Sequence, residues 1–516
     1  MKLALLATAF LEGVSVLVVE IAGARALAPY FGSSLYVWTA QITATLLFLA
    51  LGYGLGGWLS RTPRAWKLPA VFWGAGLWLG LYPFLRNGVL GFAAARFGVA
   101  EGSFLASVLL FGLPLGCLGA VSPLLIARLD ALDKGAGSAA GRLFLVNTLG
   151  GLAGGWLTAL VLIPHLPLRL ALAGTGAVLA CLGGLWAMAW PRRAASLAPI
   201  APFLAGVLFR LAPHPPHTLS FIGIPATILE RHQSGVGLIQ VLEAGGLGQA
   251  PYRVLMIDGV TQGGTDLATG LSAFEFSAYL NDLAWRFHPA ARSALLLGLG
   301  SGVLAKDLAS RGIAVTAAEI EPRIETASRR WFGLPASVRV MREDARSYLN
   351  REGERYDLIV LDVFAGETIP WYLVTREGLL AVQRHLNPGG RLLVNWVTRS
   401  GGQSGGLRRL EAGLLAAFGE ARVFVEPGEI GPLVNAILVA GKGLTMNEAD
   451  FPGRVLASLA PKVAALRTWG RPARAAPAAI RIGEDDWSDL DDAEAALRLE
   501  WRKQVVAIIK PEVLAD

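Results

Sequence analysis

The chain has 516 residues, too many for one compact core, so two or more domains are expected. Only 16% of its residues are charged and 53% are hydrophobic, an unusual balance for a soluble protein. The net charge of +7 comes mostly from Lys and Arg lying between long apolar runs before about residue 211. That is the pattern of basic loops flanking membrane spans, and it argues against a nucleic-acid partner.

In chain order, Lys2 and the run LALLATAF fit a signal peptide loosely, but Glu12 interrupts and the apolar pattern resumes to about Leu27. A first span is the better reading. A span needs roughly 20 apolar residues, and the candidates are 4–27, 36–59, 68–85, 103–127, 143–163 and 168–190. A seventh run, 195–211, is shorter and carries Pro199 and Pro202, so it reads as interfacial or re-entrant. Gly52 with Gly56 and Gly151 with Gly155 are spaced for close helix packing. Cys117 and Cys181, the only cysteines, lie inside apolar runs and exclude a disulfide framework or a cysteine zinc site. Basic residues follow the second span (Arg61, Arg64, Lys67), the fourth (Arg128, Lys134, Arg142) and the sixth (Arg192, Arg193). Six spans with these loops inside put both termini in the cytoplasm of a multi-pass protein in the cell membrane. The first span also holds Glu12, Glu20 and Arg25. Ionisable groups there are expensive, so Glu20 and Arg25 are read as a candidate polar site, against the alternative of a structural Glu–Arg pair or snorkelling side chains.

Residues 212–220 form a Pro-rich linker in which His214 and His217 have no further ligands nearby and read as turn residues. Strand-like runs with a turn-rich break then make 221–264 a small β-hairpin unit. From 265 to 444, apolar strands alternate with helices: SALLLGLGSG, IAVTAAEIE, VRVM, YDLIVLD and GRLLVNWV. Such alternation predicts a doubly wound, mainly parallel sheet, and runs of this kind suit strands covered on both faces. Ligands of that fold bind beyond the carboxyl ends of the strands. Those ends carry Gly298, Gly300, Ser301 and Gly302, then Glu319, Asp344 and Asp362. The glycines let backbone approach a ligand, and an acidic residue about 20 positions later can accept from both ribose hydroxyls. A dinucleotide site usually shows GxGxxG, and the third glycine of that pattern is missing here, so an adenosyl ligand without phosphates fits better. Residues 445–516 read as a charged, helical tail with no chemistry.

The order IDGVTQ, GLGSG, AEIE, REDA, LDVF and NPGG resembles the spermidine synthase (aminopropyltransferase) family, and FLEGVSVLVVEIAGARALAPYFGSS, LPLGCLGAVSPLL and GRLFLVNTLGGLAGG resemble its bacterial membrane-fused branch. The resemblance implies an N-terminal multi-span helical membrane bundle, then a small β unit and a Rossmann-like, class I methyltransferase-like α/β domain. It implies decarboxylated S-adenosylmethionine, or S-adenosylmethionine itself, as co-substrate with no permanently bound cofactor or metal. The acceptor is then an amine or polyamine, and a homodimer stays open. By the same resemblance Glu319 holds the ribose, Asp344 and Ala345 contact adenine, Gln262 lies beside the donor and Asp362 accepts the proton. That last role agrees with the chemistry, because an attacking amine must be neutral and a nearby carboxylate can take its proton. Two departures affect the acceptor side: Ala365 replaces a second carboxylate, and Phe276-Ser277-Ala278 falls where the family has YHE. A third, Ser301 in place of an Asp of the Gly-rich turn that faces the donor's amine in the family, loosens the case for the decarboxylated donor over S-adenosylmethionine itself. Tyr279 and Glu367 are candidate substitutes for acceptor binding. Two alternatives stand beside the aminopropyltransferase reading: an S-adenosylmethionine methyltransferase acting on a membrane-borne substrate, and a polyamine-handling transporter or sensor whose domain binds without catalysing.

Overall fold

The computed structural model describes residues 1–188 apart from 33, 63 and 134, together with 200–211, 218–221, 223–245, 250–364, 369–402, 404–427, 433–475, 482–485, 490, 494, 497 and 500–504. These residues fall into two compact units, one from 1–211 with 232–237, the other from 218–231 with 238–504.

The first unit is a bundle with six helices long and apolar enough to cross a membrane: Lys2–Phe31, Leu35–Ser60, Lys67–Arg96, Val99–Leu132, Ala136–His165 and Leu168–Ala187. Several outrun the apolar cores read from the sequence, because a 30-residue helix is about 45 Å long and continues past a hydrocarbon layer of roughly 30 Å. Two of them pass through a π-helical turn, Val108–Gly112 and Thr158–Leu162. Of the seventh run, the described part Ile200–Leu211 forms a 12-residue helix about 18 Å long, shorter than a hydrocarbon layer of roughly 30 Å. Residues 195–199 lie outside the described residues.

Small residues set the helix contacts. A Cβ on Gly52 would lie 2.3 Å from the Gly116 carbonyl oxygen, so the second and fourth helices meet backbone to backbone there. Between the first and fifth helices the close approach falls on Gly150 and Gly154, one residue before the expected pair: a Cβ on Gly150 would lie 2.1 Å from the Phe10 carbonyl oxygen. Gly151 instead faces the flexible end of Leu17. Leucines and tryptophans of the second and fifth helices, such as Leu51, Trp58, Leu152 and Trp156, are exposed, the expected outer face of a bundle in lipid.

The second unit holds two sheets. The N-terminal one is larger than a hairpin: five strands, β1 (Thr218–Phe221), β2 (Ile224–Gln233), β3 (Leu238–Ala244), β4 (Tyr252–Ile257) and β5 (Val260–Asp266), hydrogen-bonded in that order. The β4–β5 turn is Asp258-Gly259, both at positive φ (47° and 80°), as a two-residue hairpin turn matching strand twist requires. The Asp258 carboxylate accepts from the Leu238 N–H at 2.8 Å, which offsets the cost of that conformation.

The other sheet is eight-stranded. Its parallel part contains β6 (Ser293–Leu297), β7 (Ala314–Ala318), β8 (Arg339–Met341), β9 (Tyr356–Leu361) and β10 (Leu386–Arg399). Strands β11 (Ala421–Phe424), β12 (Leu433–Ala440) and β13 (Gly470–Pro472) join antiparallel. The spatial order is β13-β11-β12-β10-β9-β6-β7-β8. Central strands are buried on both faces, which explains why they read as unbroken apolar runs. The chain runs from β6 out to β8, then crosses back to β9, so a crevice lies between the ends of β6 and β9. The last segment is not only helical: after the helix Ala460–Leu466 it supplies edge strand β13, which pairs Phe424 with Gly470.

Candidate functional site

Parallel pairing aligns the strand ends. Leu297 of β6 sits beside Ala318 of β7 and Leu361 of β9, and Leu361 beside Val394 of β10. The next residues, Gly298, Glu319, Asp362 and Asn395, therefore lie along one edge of the sheet. Gly298 has φ 92°, and a Cβ there would lie 2.4 Å from the Asp362 carbonyl oxygen, so only glycine lets the two strand ends pass this closely. Gly302, at φ 76°, begins the helix Val303–Ser310.

Gln262 enters from the other sheet of the same unit. It is the extra residue of an irregularity in the β4–β5 ladder, where Met256 pairs with Thr261 and Leu255 with Gly263. Such a bulge re-aims a side chain. Its carbonyl accepts from the Ser301 N–H at 3.2 Å, fixing the Gly-rich turn against β5. Gly300 makes the approach feasible, since a Cβ on it would lie 2.6 Å from the same oxygen.

Beside this turn is a cavity of about 180 Å³. Gln262, Gly300 and Asp362 line it, with Asn395, Asn435 and the aromatic rings of Phe274, Phe276, Phe364 and Trp501. Asp362 is enclosed by protein apart from this opening. Asn395 donates to its Oδ1 at 2.8 Å, and Asn435 donates to the Asn395 amide oxygen at 2.9 Å. Burial pushes the Asp362 carboxyl up to about 6, partly countered by the Asn395 hydrogen bond. That brings a carboxylate close to the range where it can exchange a proton with a weakly basic nitrogen.

Glu319 is 7% exposed and its carboxylate is held by backbone: Leu299 N–H donates to Oε2 at 3.2 Å and Glu321 N–H to Oε1 at 2.9 Å. Burial raises its pKa while those N–H groups pull it down. Each oxygen keeps a further lone pair, so the group can accept hydroxyls in a fixed orientation. Asp344 caps the helix Ala345–Leu349, accepting from the Arg346 and Ser347 N–H groups, and its second oxygen accepts from the Tyr372 hydroxyl at 3.3 Å. Burial and this carboxylate push the Tyr372 phenol up to about 12. Ala345 and Ser301 are buried, at 5% and 4% exposure.

The remaining candidates fall elsewhere. Tyr279 is not in the cavity wall: its ring lies edge-on to Trp469 and its hydroxyl donates to Glu275 at 3.4 Å. Burial and Glu275 raise its pKa, so it behaves as a neutral packing residue. Glu367 and Ala365 lie outside the described residues. In the first unit Glu20 is half-buried, and Arg25 donates to the Ser234 carbonyl at 3.2 Å. The enclosed carboxylate there is Glu12, whose oxygens both lie 3.0 Å from the Ser122 hydroxyl. Among the described residues no group of His, Cys, Asp and Glu could hold a metal.

Three contributors escaped the sequence reading. Asn395 is a lone amide in LLVNWV, and a polar residue inside a buried strand was the available signal. Asn435 and Trp501 give no such local signal, because antiparallel pairing of β12 and the fold of the tail bring them in.

No family model matches the chain. Among known proteins it is 29% identical over 177 residues to a probable polyamine aminopropyl transferase of Bifidobacterium longum, covering 31% of this chain and 40% of that protein. It is 36% identical over 121 residues to a polyamine aminopropyltransferase of Vibrio vulnificus, covering 22% of this chain and again 40% of the relative. The chain thus spans well under half the length of these curated relatives. A solved probable spermidine synthase from Corynebacterium glutamicum superimposes with TM-score 0.39 at 20% identity, over 49% of this chain and 98% of that one. Over these segments the chain is similar in sequence to polyamine aminopropyltransferases, as the order of its motifs implied.

Proposed function

We propose that this protein is a membrane-bound aminopropyltransferase of the membrane-fused, spermidine synthase-like kind. It transfers an aminopropyl group from decarboxylated S-adenosylmethionine to an amine. The observation that carries this reading is Asp362: a carboxylate raised to about 6, fixed by Asn395, facing a cavity bounded by the Gly-rich turn and Gln262. In the reaction the amine nitrogen attacks the carbon beside the sulfonium and the C–S bond breaks. Its electrons stay on sulfur, and the proton lost by nitrogen passes to Asp362. Glu319 holds the ribose, and Asp344 with Ala345 holds the adenine. The sulfonium is already a good leaving group, so orientation supplies much of the remaining acceleration.

A second reading has its own observation. Ser301 stands in the Gly-rich turn where relatives of this kind carry a carboxylate, and four aromatic rings line the cavity together with Asp362, the one carboxylate in its described wall. Ordinary S-adenosylmethionine and methyl transfer to a membrane-borne acceptor suit that wall. Calorimetry of the detergent-solubilised protein with decarboxylated and ordinary S-adenosylmethionine separates the two, because clear preference for the ordinary form defeats aminopropyl transfer. Incubation with a panel of amines, read by mass spectrometry, then identifies the acceptor.

The six long apolar helices support a multi-pass membrane protein. An even number of crossings, with basic loops after the second, fourth and sixth, supports a cytoplasmic α/β unit. Accessibility of cysteines introduced near residue 215 tests that side.

A further inference from the structure

Within the helical unit, a cavity of about 460 Å³ opens between the segment joining the second and third spans and the end of the fourth. Its polar wall is Ser60, Thr62, Arg64, Lys67 and Arg128, and the rest is aliphatic, with Leu124 at its base. Three cations face one space, and among the described residues no Asp or Glu lines it. Lys67 is only 6% exposed, and its ammonium donates to the Thr62 carbonyl at 2.8 Å and to the Leu59 carbonyl. Dipoles thus hold the charge in place without neutralising it. Arg128 donates to the Leu124 carbonyl at 3.4 Å, a long bond that occupies one of its five donors. Among the described residues neither arginine pairs with a carboxylate. Trp58 and Trp66 nearby in sequence are exposed, as is usual where a bundle meets the membrane–water boundary.

Like charges gathered around one space repel one another unless an anion enters. An arginine fork beside the Thr62 hydroxyl, whose oxygen accepts from Lys67 and whose proton stays available, matches the oxygens of a phosphate, and the aliphatic base suits an adjoining acyl chain. We propose that this cavity binds a phosphate group, carried by an anionic lipid headgroup or free in solution.

The full chain, purified in detergent, tests this in two arms. In the first, the protein is equilibrated with mixed phosphatidylglycerol and phosphatidylcholine micelles and separated, and retained lipid is quantified by mass spectrometry. In the second, its melting temperature is read in inorganic phosphate against chloride at equal ionic strength. Enrichment of phosphatidylglycerol that falls roughly tenfold in Arg64→Gln/Arg128→Gln, but persists in Arg61→Gln, supports the site and identifies a lipid source. A phosphate-specific rise in melting temperature, lost in the same double variant without lipid enrichment, supports the site and identifies free phosphate. Arg64→Gln alone, at an exposed side chain, must reproduce part of either loss, so that misfolding of the double variant does not decide the result. Neither enrichment nor a phosphate-specific rise overturns the proposal. So does an effect equally large in wild type and double variant, or one lost equally in Arg61→Gln.

Discussion

At the scale of single residues the site turns on Asp362, and its environment makes two opposed demands. As a base it must be ionised, so kcat/KM should rise with pH through about 6, and Asp362→Asn should remove that limb and lower turnover by about a hundredfold or more. A pH–rate series on both proteins checks this, and an unchanged rate in the variant would remove Asp362 from the mechanism. The same raised pKa costs stability. Between the ordinary carboxylate value of 3.8 and about 6 the folded form binds the extra proton, so stability falls as pH rises through that window. Above it the ionised, half-buried group costs up to about 3 kcal/mol. Asp362→Asn should therefore melt higher than wild type at pH 7.5, with the gap closing towards pH 4. Glu319→Gln belongs at this scale too. It should weaken binding of an adenosyl ligand by about tenfold or more in calorimetry, since a hydrogen bond to a charged group is worth about 1.5–3 kcal/mol.

At the scale of elements, the strand–glycine–helix passage was legible because each part carries a local signal: LLL for a doubly covered strand, then glycines where the chain must turn at positive φ. Gly298 and Gly312 separate the two reasons for a glycine. Both have positive φ, 92° and 80°, but a Cβ at Gly298 would strike the Asp362 carbonyl whereas Gly312 faces open space. Gly312→Ala should cost only the conformational penalty, about 1 kcal/mol. Gly298→Ala should cost more and also abolish ligand binding, because relief of the clash moves the end of β9. Thermal melts with calorimetry distinguish the cases, and equal behaviour of the two variants would deny Gly298 its role. Helix existence in the apolar half was equally legible. Which glycines leave no room for a side chain was not: a Cβ at Gly150 would strike the backbone of the first helix, whereas one at Gly151 would meet the end of Leu17, because helix rotation depends on the partner surface and not on the small-residue spacing itself.

At the scale of the whole chain, what the sequence concealed is what distant segments do together. The parallel order of β6 to β10 follows from alternating strands and helices, but nothing local announces that the tail returns to the site. Arg502, 2% exposed, donates to the Asp258 carbonyl at 2.6 Å, and Asp258 forms the β4–β5 turn four residues before Gln262. Its neighbour Trp501 lines the cavity beside Asp362. Glu494 accepts from the Gly406 N–H at 2.8 Å, anchoring the same segment to the α/β unit. A charged, solvated tail would contribute none of this. Arg502→Ala should therefore lower stability by about 2 kcal/mol, the worth of a buried hydrogen bond with a charged donor. Because the lost bond holds the turn that leads to Gln262, it should also weaken adenosyl-ligand binding, and Arg502→Lys should restore part of both. Trp501→Ala, which leaves that bond intact, should spare most of the stability while changing which amines are accepted. Loss of stability without any change in ligand affinity in Arg502→Ala would mean that the tail braces the fold and leaves the site alone.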